Sequence, residues 1–396
     1  MKPALFIDCG AAETVGALVA GGEIVRFFFA PARGDELAPR APGYGDIVLG
    51  RIKKTAPALG GAFVDIGAGE EAFLPAKSCA GLSEGASAIF RVTRPALGGK
   101  GALLAADWTK DLPAPLAGAL GKEIGVPRLL SQSVDSAVMI ALRARQFEPA
   151  SIAVSSAEAR AALAAAGFDA VVSEPAGDAP DLEDAIAQTL EREAPLGEGA
   201  RMVFAETPGG AIVDIDAGGA SNAARKPNDR INARAAQRLY RALSRRGIGG
   251  RIFVDFLPPS SAVARRTLLD TLQTQDTAIF ERRPGKLAPD GLFDMTAPRR
   301  DLSMLERAAE PFGDAAFVPG LRPRLDWAAR RAVAAIEGRL RRQPRQRFTL
   351  DAGENLLEYI EERQEWRTRL VDRYGPRLGL RLQQALPLRS FNVTEA

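Results

Sequence analysis

Apolar and polar positions alternate from the start of the chain. ALFIDCG and VGALVAGGEIVRFFF, interrupted at Gly21-Gly22, predict strands joined by a tight turn. From Gly45 the text becomes GDIVLGRIKKTAPALGGAFVDIGAGEEAFLPAKS, short β-type runs punctuated by glycine, which suits a small β-barrel. Residues 108–128 read as a linker or short helix; Ala137 to Gln146, PASIAVSS and SAEARAALAAAG then read as helix, strand and helix. Asp181 to Ala194 is amphipathic and predicts a helix, followed by a strand RMVFAE, Gly209-Gly210 and the run AIVDIDAGGA at 211–220. Between Asn228 and Arg246, residues Ile231, Ala235, Leu239, Ala242 and Leu243 recur at helical spacing, and Gly247 closes the segment. RIFVDF at 251–256 is another strand; a helix Val263–Gln275, a strand TAIFERR and the segment LFDMTAPRR come after it. The tail from Trp327 reads as helix, a strand around RFTLDA, one long helix from Glu354 to Tyr374, and a last strand LGLRLQQ. There is no internal repeat.

Alternation on a strand puts Asp214 and Asp216 on one face at the end of AIVDID. Two carboxylates so placed repel each other. Either they are solvated turn residues, or a cation sits between them. The strand–helix–strand order from AIVDID through RIFVDF is a βαβ unit, whose crossover makes its strands parallel. Parallel strands end at the same sheet edge, where ligands of open α/β sheets bind. Asp214 and Asp255, each at the carboxyl end of its strand, can then be near neighbours although remote in sequence. Asn232 falls inside the apolar arc of the intervening helix and needs a buried partner, at the metal site or in a neighbouring loop.

Composition narrows the chemistry. The chain of 396 residues has no histidine, which removes Ser-His-Asp and Cys-His mechanisms and His-containing zinc sites. Cys9 and Cys79 are too few for a structural zinc site. Oxygen ligands remain, and carboxylates select Mg²⁺, Mn²⁺ or Ca²⁺. No run is long enough to span a bilayer, and Asp8 and Glu13 come too early for a secretory signal, so a cytoplasmic protein without membrane contact is expected. The net charge of +3 says little, but Arg230, Arg234, Arg238, Arg241 and Arg245 form a stripe on the predicted helix. Arg339, Arg341, Arg342, Arg345 and Arg347 form a second cluster. Such stripes are solvated faces or phosphate-facing surfaces. In the barrel segment, Phe63 and Phe73 with Lys53, Lys54 and Lys100 fit a single-strand surface that stacks bases beside positive charge, or simply a core. An aspartate strand followed by Gly at FIDCG invites comparison with RNase H-like nucleases and actin-like sugar kinases, but no glycine-rich phosphate loops follow.

GDIVLGRIKKTAPALGGAFVDIGAGEEAFLP with LGGKGALLAAD resembles the S1-type OB barrel of the RNase E/G family of bacterial endoribonucleases. AIVDIDAGGA resembles that family's aspartate-Ile-Asn metal strand, and INARAAQRLYRALSRRGIGGRIFVDF its helix, double glycine and second aspartate strand. ERQEWRTRLVDRYGPRLGLRLQQALP is similar to the end of its small C-terminal domain. The resemblance implies a mixed α/β, multidomain fold: an RNase H-like domain (1–42 and 128–195) interrupted by an S1-type OB β-barrel (43–107), a DNase I-like catalytic domain (196–305) and a small C-terminal α/β domain (316–396). It implies that the RNase H-like part is catalytically silent, so that Asp8 counts for little. It gives Asp214 and Asp255 the role of Mg²⁺ ligands, with Mn²⁺ as a substitute, and Asp216 a place beside them in the catalytic set. Phe63, Phe73 and Lys100 match RNA-contacting positions. Arg299 and Arg300 of LFDMTAPRR correspond to a basic segment near the phosphate, or to a surface turn.

Three departures from the family pattern matter. Asp216 stands where the family has asparagine. The family's zinc-binding cysteine pair is missing, since DLSMLERAAEPFGDAAF contains no cysteine, so no zinc is expected and any homo-oligomer would form without a zinc link. The segment 108–127 is far too short for the family's 5′-monophosphate sensor domain and stands as a linker in its place. The expectation is a Mg²⁺-dependent endoribonuclease that cleaves single-stranded RNA to 5′-phosphate and 3′-hydroxyl products irrespective of the 5′ end. The alternative is a catalytically impaired RNA-binding protein on the same scaffold.

Overall fold

A computed structural model describes residues 2–32, 42–79, 81–97, 100–106, 125–172, 181–207, 209–219, 227–275, 279–312 and 320–396. The expected linker falls outside the described residues over 108–124. The chain divides into two compact units: Met1–Gly22, Phe27–Ala185 and Leu305–Ala396 form one, Glu23–Arg26 and Ile186–Met304 the other. Among the described residues no helix is long and apolar enough to cross a membrane.

The first unit opens with a five-stranded mixed sheet. Ala4–Cys9 lies at its centre, antiparallel to Glu13–Ala20 and parallel to Ser151–Val154. Glu23–Pro31 and Val171–Val172 form the edges. The turn between the second and third strands uses Gly21 and Gly22 at φ +62 and +78, a backbone region that glycine enters without strain. Helix Ser136–Ala144, capped by the Asp135 carboxylate on the Ala137 N–H (2.9 Å), packs on this sheet.

Between the first three strands and that helix the chain forms a closed, OB-like barrel of five strands. Their order is Gly61–Asp65, Ala72–Pro75, Leu103–Ala105, Ser87–Arg94, Ile47–Ala56, and the last pairs back to the first. Alternation fills the barrel with Val48, Ile52, Val64, Leu74, Phe90, Val92 and Leu104, all buried. A buried ion pair anchors the barrel's first strand to the helix: Arg143 Nη2 donates to Asp46 Oδ1 at 2.7 Å, with side chains 6% and 0% exposed. The tail contributes helix Leu325–Arg342 and a three-stranded sheet with Phe348–Ala352 between Leu378–Leu382 and Phe391–Glu395. Its core, around Ile336, Leu350, Leu356 and Trp366, also takes in Ala11 and Ala12.

The second unit is built on a six-stranded sheet in the order Glu193–Gly197, Ala200–Thr207, Gly210–Asp216, Gly250–Asp255, Leu292–Ala297, Arg283–Leu287. Gly210–Asp216 and Gly250–Asp255 are parallel, joined by helix Pro227–Arg246. Ile231, Ala235, Leu239 and Leu243 of that helix are buried against Val213, Ile215, Ile252 and Val254. The helix ends as its sequence requires. Gly247 sits at φ +68, and the Ile248 N–H reaches back to Leu243 O at 3.0 Å.

Three expectations need correction. The helix from Asp181 stops at Leu190, because Glu193–Gly197 is claimed by a hairpin with Ala200–Thr207. TAIFERR is not a strand: pairing begins only at Arg283, and Thr277 and Ala278 lie outside the described residues. Phe280 instead turns inward and stacks on Tyr240 (5.8 Å, 14°), while the Arg282 guanidinium lies 3.8 Å from the same ring. Packing of individual side chains there outweighs strand propensity. The long helix Glu354–Tyr374 is two, Glu354–Glu361 and Gln364–Tyr374. Arg363 breaks it, with its guanidinium 3.4 Å from the Tyr359 ring and bonded to Tyr359 O.

Candidate metal centre

On the strand Gly210–Asp216, Ala211, Val213 and Ile215 face the helices, so Ile212, Asp214 and Asp216 take the opposite face. On Gly250–Asp255, Ile252 and Val254 point inward, leaving Arg251, Phe253 and Asp255 outward. The parallel register pairs Asp214 with Asp255. Neighbouring strands lie about 4.8 Å apart, so the two exposed carboxylates are side by side. The pKa of Asp214 is raised, first by partial burial, then by the negative charges of Asp255 and Asp216, with Arg201 opposing.

The site is held from both sides. Asn232, 2% exposed, donates from Nδ2 to Leu257 O (2.7 Å) and accepts the Leu257 N–H on Oδ1 (3.1 Å). Its buried partner is therefore the chain two residues beyond Asp255. At the end of the other strand, Gly218 adopts φ +52 so close to the neighbouring turn that a Cβ would lie 2.2 Å from Gly199 O. Only glycine fits there.

Asp216 is already engaged. Arg201, its register partner on the hairpin strand, donates to Oδ2 from Nε (2.9 Å) and Nη2 (2.6 Å), and the Gly218 N–H donates to Oδ1 at 2.8 Å. These contacts, the backbone N–H first, hold the Asp216 carboxyl below the usual carboxylate range. Arg201 is the residue that reading the sequence missed. A register counted outward from the turn at Gly209 pairs it with Asp216, and that count was the available signal.

Whether a cation fits follows from the donor set. Among the described residues no hydrogen bond or ion pair reaches the carboxylate of Asp214 or Asp255, and no cluster of three His, Cys, Asp or Glu side chains forms a ready-made cage. Two adjacent carboxylates open to solvent suit Mg²⁺, which keeps several waters and typically takes one or two protein carboxylates plus substrate phosphate oxygens. The pair fits that ion. Cys9 and Cys79 are both free thiols.

The other candidates are distributed differently. Phe63 and Phe73 are cross-strand partners on the outside of the barrel, half-buried, with rings edge to face at 5.7 Å and 72°. Lys53 on the adjacent strand is exposed and pairs with Glu71 at 3.0 Å. Lys100 is exposed, and its backbone bridges to Leu97. Arg299 and Arg300 are not brought to the acid pair. Leu292–Ala297 runs antiparallel with Leu292 opposite Asp255 and Ala297 opposite Gly250, so both arginines lie past the far end of the Asp255 strand. That strand spans on the order of 17 Å. Arg300 pairs with Glu281. The arginine stripe is largely committed as well: Arg230 and Arg234 both bind Glu198, at 2.5 and 2.8 Å, and Arg245 donates to Thr189 Oγ1 at 2.6 Å. Asp8 is matched by Arg341 at 3.3 Å.

Fold and site together define an α/β protein with an OB-like barrel and two aspartates paired at one sheet edge. Residues 155–298 match the model of the Ribonuclease E/G family, so the family recognised from sequence is found across the segment that carries both aspartate strands. The chain is similar to Ribonuclease G of Salmonella typhimurium (strain SL1344), 32% identical over 130 residues, which covers 32% of this chain and 26% of that protein. It is also similar to the chloroplastic Ribonuclease E/G-like protein of Arabidopsis thaliana, 26% identical over 144 residues, 35% of this chain and 14% of that protein. The matched regions thus span about a quarter or less of these relatives.

Proposed function

We propose that this chain is a Mg²⁺-dependent endoribonuclease acting on single-stranded RNA, with Asp214 and Asp255 as the metal ligands. The observation that carries the reading is their register pairing at one open sheet edge, within the segment that matches the Ribonuclease E/G family. In this reading the first sheet is an RNase H-like domain, the barrel an S1-type RNA-binding module, the six-stranded unit a DNase I-like catalytic domain, and the tail the small C-terminal domain.

Each part has a physical role. Phe63 and Phe73 offer ring faces on which unpaired bases stack, and Lys53 and Lys100 add positive charge on the same module. Asp214 and Asp255 hold the ion where the scissile phosphate arrives. Mutual repulsion between their carboxylates is relieved when a divalent cation enters, which favours binding there. Mg²⁺, or Mn²⁺ in its place, supplies positive charge against the phosphate and a more acidic water. Cleavage in this manner leaves 5′-phosphate and 3′-hydroxyl ends. With only residues 108–127 where a sensor domain would stand, cutting is independent of the 5′ end.

The test is an assay on a labelled A/U-rich single strand with and without Mg²⁺, with product ends mapped. Cleavage is expected from the wild type and lost in Asp214→Asn and Asp255→Asn, while RNA affinity stays within about threefold. Binding without cutting in either Mg²⁺ or Mn²⁺ would establish the RNA-binding alternative instead. Matched 5′-hydroxyl and 5′-monophosphate RNAs are expected to be cut at equal rates; a strong monophosphate preference refutes the 5′-independence.

A further inference from the structure

Three carboxylates lie on one face of the sheet edge, yet they are not equivalent. Asp214 and Asp255 face each other across the parallel pair, whereas Asp216, two positions on, has both oxygens occupied. The Arg201 fork takes Oδ2 and the Gly218 N–H takes Oδ1. Glu193 lies 3.4 Å from the third guanidinium nitrogen, so the fork is steadied from its other side. All of these positions follow from register: Arg201 sits directly opposite Asp216, and Glu193 is on the next strand out.

We propose that Arg201 is a positioning residue that withholds Asp216 from the divalent ion, so that the site offers two carboxylates rather than three. This rests on the reading of Asp214 and Asp255 as the metal ligands. Without Arg201, an uncompensated carboxylate would stand about 7 Å along the strand from Asp214, near enough to swing toward the ion. It would bind the cation more tightly and repel the incoming phosphate. The guanidinium removes both effects at once, and its planar fork does so with fixed geometry, which an ammonium does not supply.

The experiment is a Mn²⁺ titration followed by electron paramagnetic resonance, without RNA and at low salt. It uses wild type, Arg201→Met, Arg201→Gln, Asp216→Asn, Arg201→Met/Asp216→Asn and Asp214→Asn, with circular dichroism to confirm folding. Arg201→Met and Arg201→Gln are expected to bind Mn²⁺ roughly tenfold more tightly, the effect of one unpaired charge at this separation in partly screened surroundings. Asp216→Asn and the double variant are expected within about twofold of wild type. On RNA, Arg201→Met raises KM more than it lowers kcat, and the double variant restores both. Unchanged or weaker Mn²⁺ binding in both Arg201 variants overturns the proposal, as does a double variant that keeps the tightened affinity. Failure of the underlying reading looks different: Mn²⁺ binding that ignores Asp214→Asn removes the metal site itself, and Arg201's role with it.

Discussion

Asn232→Leu isolates the contact that fixes the end of the Asp255 strand. Asn232 is almost fully buried and holds both backbone groups of Leu257, donating to its carbonyl at 2.7 Å and accepting from its N–H at 3.1 Å. Leucine keeps the volume and removes both hydrogen bonds, leaving one backbone donor and one acceptor without partners. Each group so orphaned costs about 1–3 kcal/mol when buried. Leu257 is only partly buried, which puts each penalty at the low end, and the new apolar side chain returns about 1 kcal/mol of burial. The net expected loss is about 1–3 kcal/mol, read as a lower urea midpoint by circular dichroism with an unchanged slope. Asp255 lies two residues upstream, so its carboxylate is expected to lose its set position against Asp214. A displacement near 1 Å at a reacting centre lowers the rate by about a hundredfold. Asn228→Ala is the control, because its bond to Pro258 O at 3.2 Å is exposed and its loss should fall within about 0.5 kcal/mol. If Asn232→Leu is as stable as the control and cuts RNA at the wild-type rate, the link from this buried amide to the acid pair is wrong.

On the barrel, Phe63→Ala or Phe73→Ala is expected to weaken single-stranded RNA binding by about 1–3 kcal/mol, measured by fluorescence anisotropy, with no change in Mn²⁺ affinity. Asp46→Ala leaves Arg143 buried without its partner and is expected to destabilise the first unit by about 3–5 kcal/mol in urea unfolding; an effect under 1 kcal/mol refutes the ion pair as an anchor. Burial pushes the Glu183 carboxyl up to about 7 against the opposing charge of Arg331, which donates to it at 2.6 Å. The folded state therefore holds this proton where the unfolded chain has released it. The stabilisation is full below the ordinary carboxylate value and fades as pH rises toward and through about 7. Stability measured from pH 5 to 8 is expected to fall less steeply with pH in Glu183→Gln, and an unaltered slope refutes the assignment.

Local pattern carried much of this protein. Period-two alternation located both aspartate strands, and helical spacing with a terminal glycine located the connecting helix. Because a strand–helix–strand crossover makes its strands parallel, Asp214 and Asp255 were placed at one edge of the sheet, and the direct pairing of their strands made them neighbours. Asn232 announced itself too, since an amide inside an apolar arc must be satisfied. Where side chains had to choose partners, the pattern was silent or misleading. TAIFERR has strand composition, but Phe280 and Arg282 are drawn to Tyr240, a residue supplied by a distant helix. Arg299 and Arg300 follow the strand Leu292–Ala297, and because that strand runs antiparallel to Gly250–Asp255 they emerge at the end opposite Asp255. Asp216 reads as a third member of the acid cluster until the hairpin register sets Arg201 opposite it. The sequence alone determined that the two aspartate strands exist and which way that crossover pair runs, for these depend on short-range periodicity and chain chirality. Only the tertiary structure decided which charge each carboxylate meets, because ion pairing falls off over a few ångströms and is fixed by neighbours that no local pattern names.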